Sequence, residues 1–263
     1  MITVHYALQT CDLESPHHKD PRYCNAPKTE VTKRCVRSFL ESVTYAVDAN
    51  HEAIHRITIF DDRSSQQTKD TLHRYAKIYS TGDVTVEVRD TKLPGLAASI
   101  RECYEHLRKC DGLVYQVQDD YLFETNAVYQ SLNTYFQVNH QCITDPLVSP
   151  FNDQYYWQVG YHNRSTPRLI VQGNDRYWIQ IYDISCSFLT SNVQFNKHWD
   201  LYEKFLGLIG TGEHLENRSL NYITTQRGVL AICPINTLAF HLQSNHEKDP
   251  YIDWKPLWDK YEI

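Results

Sequence analysis

ITIFDDRSSQQT, residues 57–68, joins an apolar run to two adjacent carboxylates, a hydroxyl-rich turn and the start of a helical pattern. A second stretch of similar design, GLVYQVQDDYLFETNAV, occupies residues 112–128. A short run of β-branched and aromatic residues is typical of a buried strand. Both stretches therefore predict a strand that ends at an acid pair, Asp61–Asp62 in the first and Asp119–Asp120 in the second.

The residues around these two stretches alternate between strand and helix patterns. Strands are predicted at 2–8, 56–60, 84–88 and 112–117, and helices at 29–49 (capped by Thr29), 66–79, 96–110 and 124–137. This rhythm predicts an α/β fold with a Rossmann-like, mostly parallel central sheet flanked by helices. Ligands of such sheets bind outside the carboxyl ends of the strands, where both acid pairs are expected.

The second half of the chain is less regular. Strands with turns are predicted within 146–163, 168–191 and 235–245, and helices at 198–209 and 213–226. The sequence contains no internal repeat and no linker-like tract. A single domain is therefore predicted over residues 1–263, with a regular half at 1–130 and a mixed half at 131–263.

The composition argues against several classes of protein. The net charge is −6, from 26 Lys plus Arg against 32 Asp plus Glu, which gives no strong general signature of nucleic-acid binding. The basic run from Lys28 to Arg37 is interpreted as a solvated helix face. No apolar stretch is long enough for a transmembrane segment, and the N-terminus lacks a signal-peptide pattern, so a cytoplasmic location is expected. The GxxxxGKS/T and GxGxxG motifs of P-loop and dinucleotide-binding proteins do not occur.

The eight cysteines include no CxxC pair, which predicts free thiols in a cytoplasmic protein. Cys11, His17, His18 and Cys24 have the residue types of a zinc site. Zinc ligands usually come in close pairs, whereas these four are spread along one loop. A zinc site and an ordinary polar loop both stay open.

The two acidic stretches together resemble a known enzyme family. TIFDDRSSQQT resembles the DDxSxDxT segment of family 2-like glycosyltransferases of the GT-A fold, in the nucleotide-diphospho-sugar transferase superfamily. QVQDDYLF resembles their second acidic segment, the DxD or EDDY metal motif, with Gln118 at the first position of the triplet. The resemblance covers residues 2–130. It implies a GT-A-like fold with a nucleotide-sugar-binding half at 1–130 and an acceptor-binding half at 131–263.

The resemblance also implies roles for individual residues. It assigns contacts with the nucleotide-sugar to Thr10, Asp12 and Asp62, and metal binding to Asp120. Asp119 is a candidate both for contact with the nucleotide-sugar and for sharing the metal with Asp120. A diphosphate is strongly negative, so carboxylates beside it need a cation such as Mn²⁺ or Mg²⁺. The cation would also stabilise the departing diphosphate as a Lewis acid. The alternative is that the acid pairs are only the capped or solvated starts of helices.

A histidine late in the chain is a second candidate ligand for the metal. INTLAFHLQSN, residues 235–245, reads as an apolar strand that presents His241. Similar enzymes often use a late histidine on the metal or the diphosphate, and imidazole suits Mn²⁺ better than Mg²⁺. The alternative is a histidine whose hydrogen bonds are satisfied within the core.

The segment GTGEHLENRSLNYITTQRG, residues 210–228, is where the resemblance places a catalytic base, in a GED or ED step that opens a helix. An inverting transferase needs a carboxylate to take the proton of the acceptor hydroxyl. Glu213 and Glu216 are the candidates, and His214 is chemically able as well. A capped amphipathic helix is the alternative, so the stereochemistry stays open.

Aromatic residues of the second half are candidates for the acceptor channel, with core packing as the alternative. They are Tyr155, Tyr156, Trp157, Trp178 and Tyr182, and Asp183 is a candidate to hold sugar hydroxyls.

These features together predict a metal-dependent glycosyltransferase, a hexosyl- or pentosyltransferase that moves a sugar from a nucleotide-diphosphate donor to an acceptor hydroxyl. The acceptor stays open among a glycan, a lipid-linked sugar, a protein, a metabolite and a modified nucleobase. A non-catalytic GT-A-like module that binds a sugar or a partner is the alternative. A sugar-nucleotide pyrophosphorylase is disfavoured because residues 9–25, after the first strand, contain no glycine.

Overall fold

The computed structural model describes residues 1–14, 22, 25–49, 52–142, 144–152, 167–184, 187–211, 215–243 and 252–262. The strands are β1 (Ile2–Thr10), β2 (Ala53–Asp61), β3 (Val84–Asp90), β4 (Leu113–Gln118), β5 (Tyr121–Phe123), β6 (Leu147–Val148), β7 (Ile170–Gln172), β8 (Tyr177–Ile181), β9 (Phe188–Ser191), β10 (Ala231–Pro234) and β11 (Ala239–His241). The helices are α1 (Lys28–Asp48), α2 (Gln66–Tyr79), α3 (Leu96–Arg108), α4 (Ala127–Cys142), α5 (Asn192–Lys197), α6 (Trp199–Leu208), α7 (Asn221–Thr225) and α8 (Lys255–Lys260).

The main sheet has the strand order β3-β2-β1-β4-β9-β6-β10-β8-β7. Its first four strands run parallel, and β1 lies between β2 and β4. β9 is antiparallel to both β4 and β6, and β10 is parallel to β6 but antiparallel to β8. This topology confirms the predicted α/β fold, with a mostly parallel sheet in the first half and a mixed second half.

Helices cover both faces of the sheet because successive strand residues point to opposite faces. On β1, Tyr6 and Leu8 belong to the core cluster shared with α1, α2 and α4. Ala7, between them, belongs to the cluster shared with α3 and α6. The Phe39 ring of α1 packs edge-on to Tyr6 with ring centroids 5.4 Å apart. Each fully buried large apolar side chain contributes about 2 kcal/mol, so the two clusters fix the strands between the helix layers.

The carboxyl ends of the parallel strands meet at one edge of the sheet. Thr10 at the end of β1 lies beside Asp61 at the end of β2. Gln9 of β1 lies beside Gln118 at the end of β4. Both acid pairs therefore follow strands that end at the same edge.

A second, two-stranded sheet pairs β5 with β11 in antiparallel register, and the sequence did not predict β5. Tyr121 lies opposite His241 in this ladder. The backbone N–H of Leu242 donates a hydrogen bond to the carbonyl oxygen of Asp120 over 2.8 Å. The ladder thus places a late segment of the chain against the acid pair that follows β4.

The start of α1 differs from the prediction. The helix begins at Lys28, and Pro27 with its extended backbone stands at the position before it without a side-chain cap. Thr29, predicted as the cap, lies inside the first turn. The carbonyl oxygen of Pro27 accepts from the backbone N–H groups of Glu30 and Val31, so the first turn begins at Lys28.

The single helix predicted at 213–226 is also wrong for the part of it that the structure describes. A 3₁₀ turn at Glu216–Arg218 is followed by the short α7. Ser219 between them has φ −142° and ψ −88°, and its hydroxyl donates to the carbonyl oxygen of Leu215. Serine side chains that bond nearby backbone compete with a continuous helix.

In the part of the chain that the structure describes, no helix combines the length and the apolar character needed to cross a membrane.

Candidate functional site

The loop after β1 connects the two acid pairs. β1 separates β2 from β4, so the two pairs lie about 10 Å apart at the sheet edge, two strand spacings. The backbone N–H of Asp62 donates to the carbonyl oxygen of Thr10 over 2.8 Å. The next residue, Cys11, donates its backbone N–H to Oδ2 of Asp119 over 2.9 Å. The structure thus brings Thr10, Asp62 and Asp119 together.

Asp61 and Asp12 both hold the turn that opens α2. The buried Asp61 carboxylate accepts from the Thr10 hydroxyl at 3.0 Å and from the Ser64 backbone N–H at 3.1 Å. Oδ1 of Asp12 accepts from the backbone N–H of Ser65 at 2.9 Å, and Oδ2 accepts from its hydroxyl at 2.6 Å. Burial raises the pKa of Asp12, but the hydrogen bonds from Ser65 outweigh it and lower the pKa below its usual value. Both carboxylates therefore already have internal donors.

Asp62 is held between α3 and an unusual turn residue. Its Oδ2 accepts from the backbone N–H of Gly95 at 2.9 Å, and its Oδ1 accepts from Nε of Arg63 at 2.8 Å. Gly95 has φ +103° and ψ 157°, a conformation that essentially only glycine adopts. Arg63 has φ +59°, in the left-handed region that side chains other than asparagine and aspartate rarely occupy. The exposed Arg63 guanidinium thus lies directly on Asp62.

Asp119 forms a buried ion pair with the first residue of α1. Its Oδ1 lies 2.6 Å from Nζ of Lys28, and its Oδ2 also accepts from the Thr32 hydroxyl at 2.8 Å. Burial lowers the pKa of Lys28, but the adjacent Asp119 and Asp120 carboxylates outweigh it and raise the pKa above its usual value. With the backbone N–H of Cys11, the Asp119 carboxylate accepts from three donors, and these bonds anchor α1 to the end of β4.

The interpretation of residues 28–37 as a solvated basic face is therefore wrong. Lys33 and Arg34 are only 5% and 6% exposed. The Arg34 guanidinium donates to the carbonyl oxygen of Trp258 at 2.5 Å and pairs with Glu30. Lys28 and Thr32 were not predicted as site residues, although their spacing of four residues puts them on one helix face.

Asp120 differs from the other three strand-end acids because one of its buried oxygens has no hydrogen-bond partner among the described residues. Oδ2 lies 3.4 Å from Nε2 of His241. Oδ1 is buried and has no hydrogen-bond partner in the described part of the chain. Burial raises the pKa of Asp120, but His241 and Lys28 outweigh it and hold the pKa well below its usual range, so the carboxyl stays ionised. The His241 ring stacks on Tyr121 with centroids 4.7 Å apart and planes at 5°, which fixes its orientation.

Asp120 and His241 fit a divalent metal. A buried carboxylate oxygen without a donor is costly unless a cation or water meets it. Carboxylate suits Mg²⁺ and Mn²⁺, and imidazole adds a preference for Mn²⁺. Among the described residues no group of three or more His, Cys, Asp or Glu side chains is placed to hold a metal. The remaining ligands would therefore come from bound phosphate oxygens and water.

The predicted catalytic turn is described only in part. Glu213 and His214 lie outside the described residues, and Glu216 is half-buried in the 3₁₀ turn. The Asn221 amide nitrogen donates to Asn217 at 3.0 Å and to Asp183, so this turn is tied to the segment after β8. Of the predicted acceptor-channel aromatics, Trp178 is fully buried and Tyr182 is half-buried. The other predicted channel aromatics lie outside the described residues: Tyr155, Tyr156 and Trp157. Three of the four candidate zinc ligands also lie outside them: His17, His18 and Cys24.

Comparison with solved structures identifies the fold. A mannosyltransferase of Pyrobaculum calidifontis, PcManGT, in complex with GDP-Man and Mn²⁺, matches with a TM-score of 0.51 at 12% identity, over 90% of this chain and 55% of that chain. GalNAc-T7 with UDP, GalNAc and Mn²⁺ matches with a TM-score of 0.50 at 12% identity, over 99% of this chain and 47% of that chain. The fold is therefore GT-A-like, and the chain spans about half the length of these two structures. No protein-family model and no curated protein matches the sequence.

Proposed function

We propose that this chain is a metal-dependent glycosyltransferase that takes a sugar from a nucleotide-diphosphate donor and transfers it to an acceptor hydroxyl. The observation that carries the proposal is Asp120, an ionised carboxylate at the sheet edge with a buried oxygen that has no hydrogen-bond partner in the described part of the chain. The GT-A-like fold supports it, because two structures of this fold carry nucleotide or nucleotide-sugar together with Mn²⁺.

In this proposal Thr10, Asp12, Asp62 and Asp119 form the donor side of the site. Asp62 would contact the base or ribose, because its partner Arg63 is exposed and can move away. The other three are already hydrogen-bonded within the protein, Thr10 as a donor to Asp61 and the carboxylates of Asp12 and Asp119 as acceptors. They would therefore act mainly by shaping the loop that follows β1. Residues 1–130 would bind the donor and residues 131–263 the acceptor.

Asp120 and His241 would hold the metal, Mn²⁺ in preference to Mg²⁺ because of the imidazole. The bound metal would stabilise the charge of the departing diphosphate. Lys28 keeps Asp119 neutralised, which leaves Asp120 as the carboxylate directed to the cation. If the reaction inverts the anomeric centre, Glu213 or Glu216 would accept the proton of the acceptor hydroxyl.

The cellular location and the acceptor also belong to the proposal. All described cysteines, among them Cys11 and Cys35, are free thiols, which fits the expected cytoplasmic location. The acceptor would be a glycan, a lipid-linked sugar, a protein, a metabolite or a modified nucleobase.

A calorimetric titration with UDP and with GDP, in Mn²⁺, in Mg²⁺ and in EDTA, tests the donor site. We expect micromolar binding of at least one nucleotide in Mn²⁺ and a loss of at least about tenfold in EDTA. A hydrolysis assay over a panel of UDP- and GDP-sugars then identifies the sugar. Metal-dependent nucleotide binding without any hydrolysis or transfer would support the non-catalytic module instead. Equal binding in Mn²⁺ and in EDTA would contradict the role of Asp120.

A further inference from the structure

A cavity lies at the turn between β7 and β8. Its volume is about 390 Å³, and residues 172–177 and 235–236 line it. It faces the same sheet edge as the candidate donor site, because residues 235–236 directly follow the carboxyl end of β10. Along the sheet, however, β8 lies four strands from β4, a spacing of about 19 Å. The cavity is therefore separate from the metal site.

Hydrogen bonds from two directions hold the walls of this cavity in place. Gln130 of α4 donates its side-chain N–H to Asp175 at 2.5 Å, and Gln137 donates to the carbonyl oxygen of Gln172 at 2.8 Å. On the other side, Arg176 donates to the carbonyl oxygen of Asn236 at 2.8 Å. The turn is thus fixed to α4 and to the segment after β10, so the cavity is formed before any ligand arrives.

Gly173 explains why the turn has this shape. A Cβ atom added there would lie 2.6 Å from Nε1 of the fully buried Trp178. Any other residue would push the turn away from the indole and change the cavity. Nε1 of Trp178 itself has no hydrogen-bond partner among the described residues.

The chemistry of the lining points to a neutral ligand with many hydroxyl groups. The Arg176 guanidinium is balanced by Asp175 in the lining and by Glu124, 3.6 Å away, so the cavity carries no excess of positive charge for a phosphate. Amide side chains at Gln172 and Asn236 offer both donors and acceptors. A polar lining of this kind disfavours a lipid tail.

Two further observations favour a sugar ring. The Tyr177 side chain is 58% exposed at the cavity and offers a flat aromatic face with a hydroxyl at its tip. Nε of Arg176 is buried and has no partner in the described part of the chain, an N–H donor that a ligand hydroxyl can satisfy.

We propose that this cavity is a saccharide-binding subsite, which holds a sugar unit of the acceptor away from the unit that receives the donor sugar. The inference rests on the proposed transferase function and deepens it: the acceptor is an oligosaccharide or glycan. Glu124, which follows β5 directly and pairs with Arg176, connects the subsite to the segment that carries Asp120.

Binding of free trisaccharides to the metal-free protein tests the subsite. Maltotriose, cellotriose, mannotriose and triacetylchitotriose are titrated by ligand-observed NMR against the wild type and Tyr177→Ala. We expect at least one trisaccharide to bind and Tyr177→Ala to weaken it about tenfold, the effect of losing one aromatic contact. Tyr45→Ala, which removes another exposed tyrosine on α1, is the matched control and should bind as the wild type does.

The outcomes separate this inference from the proposed function. UDP or GDP binding in Mn²⁺ should be the same in Tyr177→Ala as in the wild type, which also shows that the variant is folded. Trisaccharide binding that depends on Tyr177 without any nucleotide binding would keep the subsite and overturn the transferase. Failure of all four trisaccharides to bind, or equal binding by Tyr177→Ala, would overturn the subsite.

Discussion

The acid pair after β2 and the acid pair after β4 come from almost the same sequence pattern, but their carboxylates have different surroundings. Asp61 and Asp62 each accept a backbone N–H from the chain that follows β2 or β3. After β4, Asp119 is neutralised by Lys28, whereas one oxygen of Asp120 has no donor within the segments that the structure describes. Two aspartates after a buried strand therefore do not make a binding site by themselves. The donors that the rest of the fold supplies determine which carboxylate remains available.

Replacement of Asp120 should have the largest effect, because among the described carboxylates it alone has a buried oxygen without a hydrogen-bond partner. Asp120→Asn should lower Mn²⁺-dependent donor hydrolysis about 1000-fold, the several kcal/mol that metal stabilisation of a leaving group supplies. Asp111→Asn is the control, since this exposed residue at the opposite end of β4 should leave the rate within about twofold. Unchanged turnover in Asp120→Asn would show that Asp120 has no catalytic role that sets it apart from the acid pair after β2.

Replacement of Lys28, the buried cation beside Asp119, should have the next largest effect. Lys28→Met leaves the Asp119 carboxylate buried and unpaired, so the free energy of unfolding should fall by about 3 kcal/mol in a urea titration. The exposed Lys255–Asp259 pair provides the control, because Lys255→Met should change stability by less than about 0.5 kcal/mol. The double variant Lys28→Met, Asp119→Asn should recover part of the loss. A stability equal to that of the wild type would show that Asp119 is not anchored by Lys28.

Removal of the imidazole should weaken the metal less than removal of the carboxylate. His241→Ala should lower the affinity for Mn²⁺ in the presence of UDP about tenfold, measured from the EPR signal of free Mn²⁺, with a smaller change for Mg²⁺. His140→Ala, an exposed histidine on α4, controls for loss of a surface imidazole. An Mn²⁺ affinity that does not change would assign His241 to packing against Tyr121 alone.

The smallest effect should come from replacement of Asp12, whose carboxylate already accepts hydrogen bonds from the protein. Asp12→Ala removes the acceptor of two hydrogen bonds from Ser65, so unfolding should become about 1 kcal/mol easier. Nucleotide affinity should fall by less than about tenfold, since Asp12 acts through the loop. Asp70→Ala, an exposed residue of α2, is the control for the loss of a carboxylate. A loss of nucleotide binding as large as that in Asp120→Asn would place Asp12 in direct contact with the donor.

Much of the first half could be predicted from the sequence because its signals are local. The helix at 66–79 is found with the bounds that its pattern predicts, with Ser65 as the cap that accepts from Thr68. The second half was harder because short strands such as β6 and β10 contain few residues and no clear period. Within the described part of the helix predicted at 213–226, the helix is interrupted at Ser219, whose backbone is not helical and whose hydroxyl donates to the carbonyl oxygen of Leu215.

The sequence by itself determined that two acid pairs end parallel strands, since hydrophobic periodicity fixes strand, helix and order. The tertiary structure decided which of the described acids keeps a buried oxygen without a hydrogen-bond partner. The partner of Asp119 is 91 residues away in sequence, and the histidine beside Asp120 arrives on β11, a strand from the other half of the chain. The burial pattern of a strand or helix follows from residues that are close in sequence. The electrostatic state of a carboxylate depends instead on charges and N–H donors that only folding brings within hydrogen-bond distance.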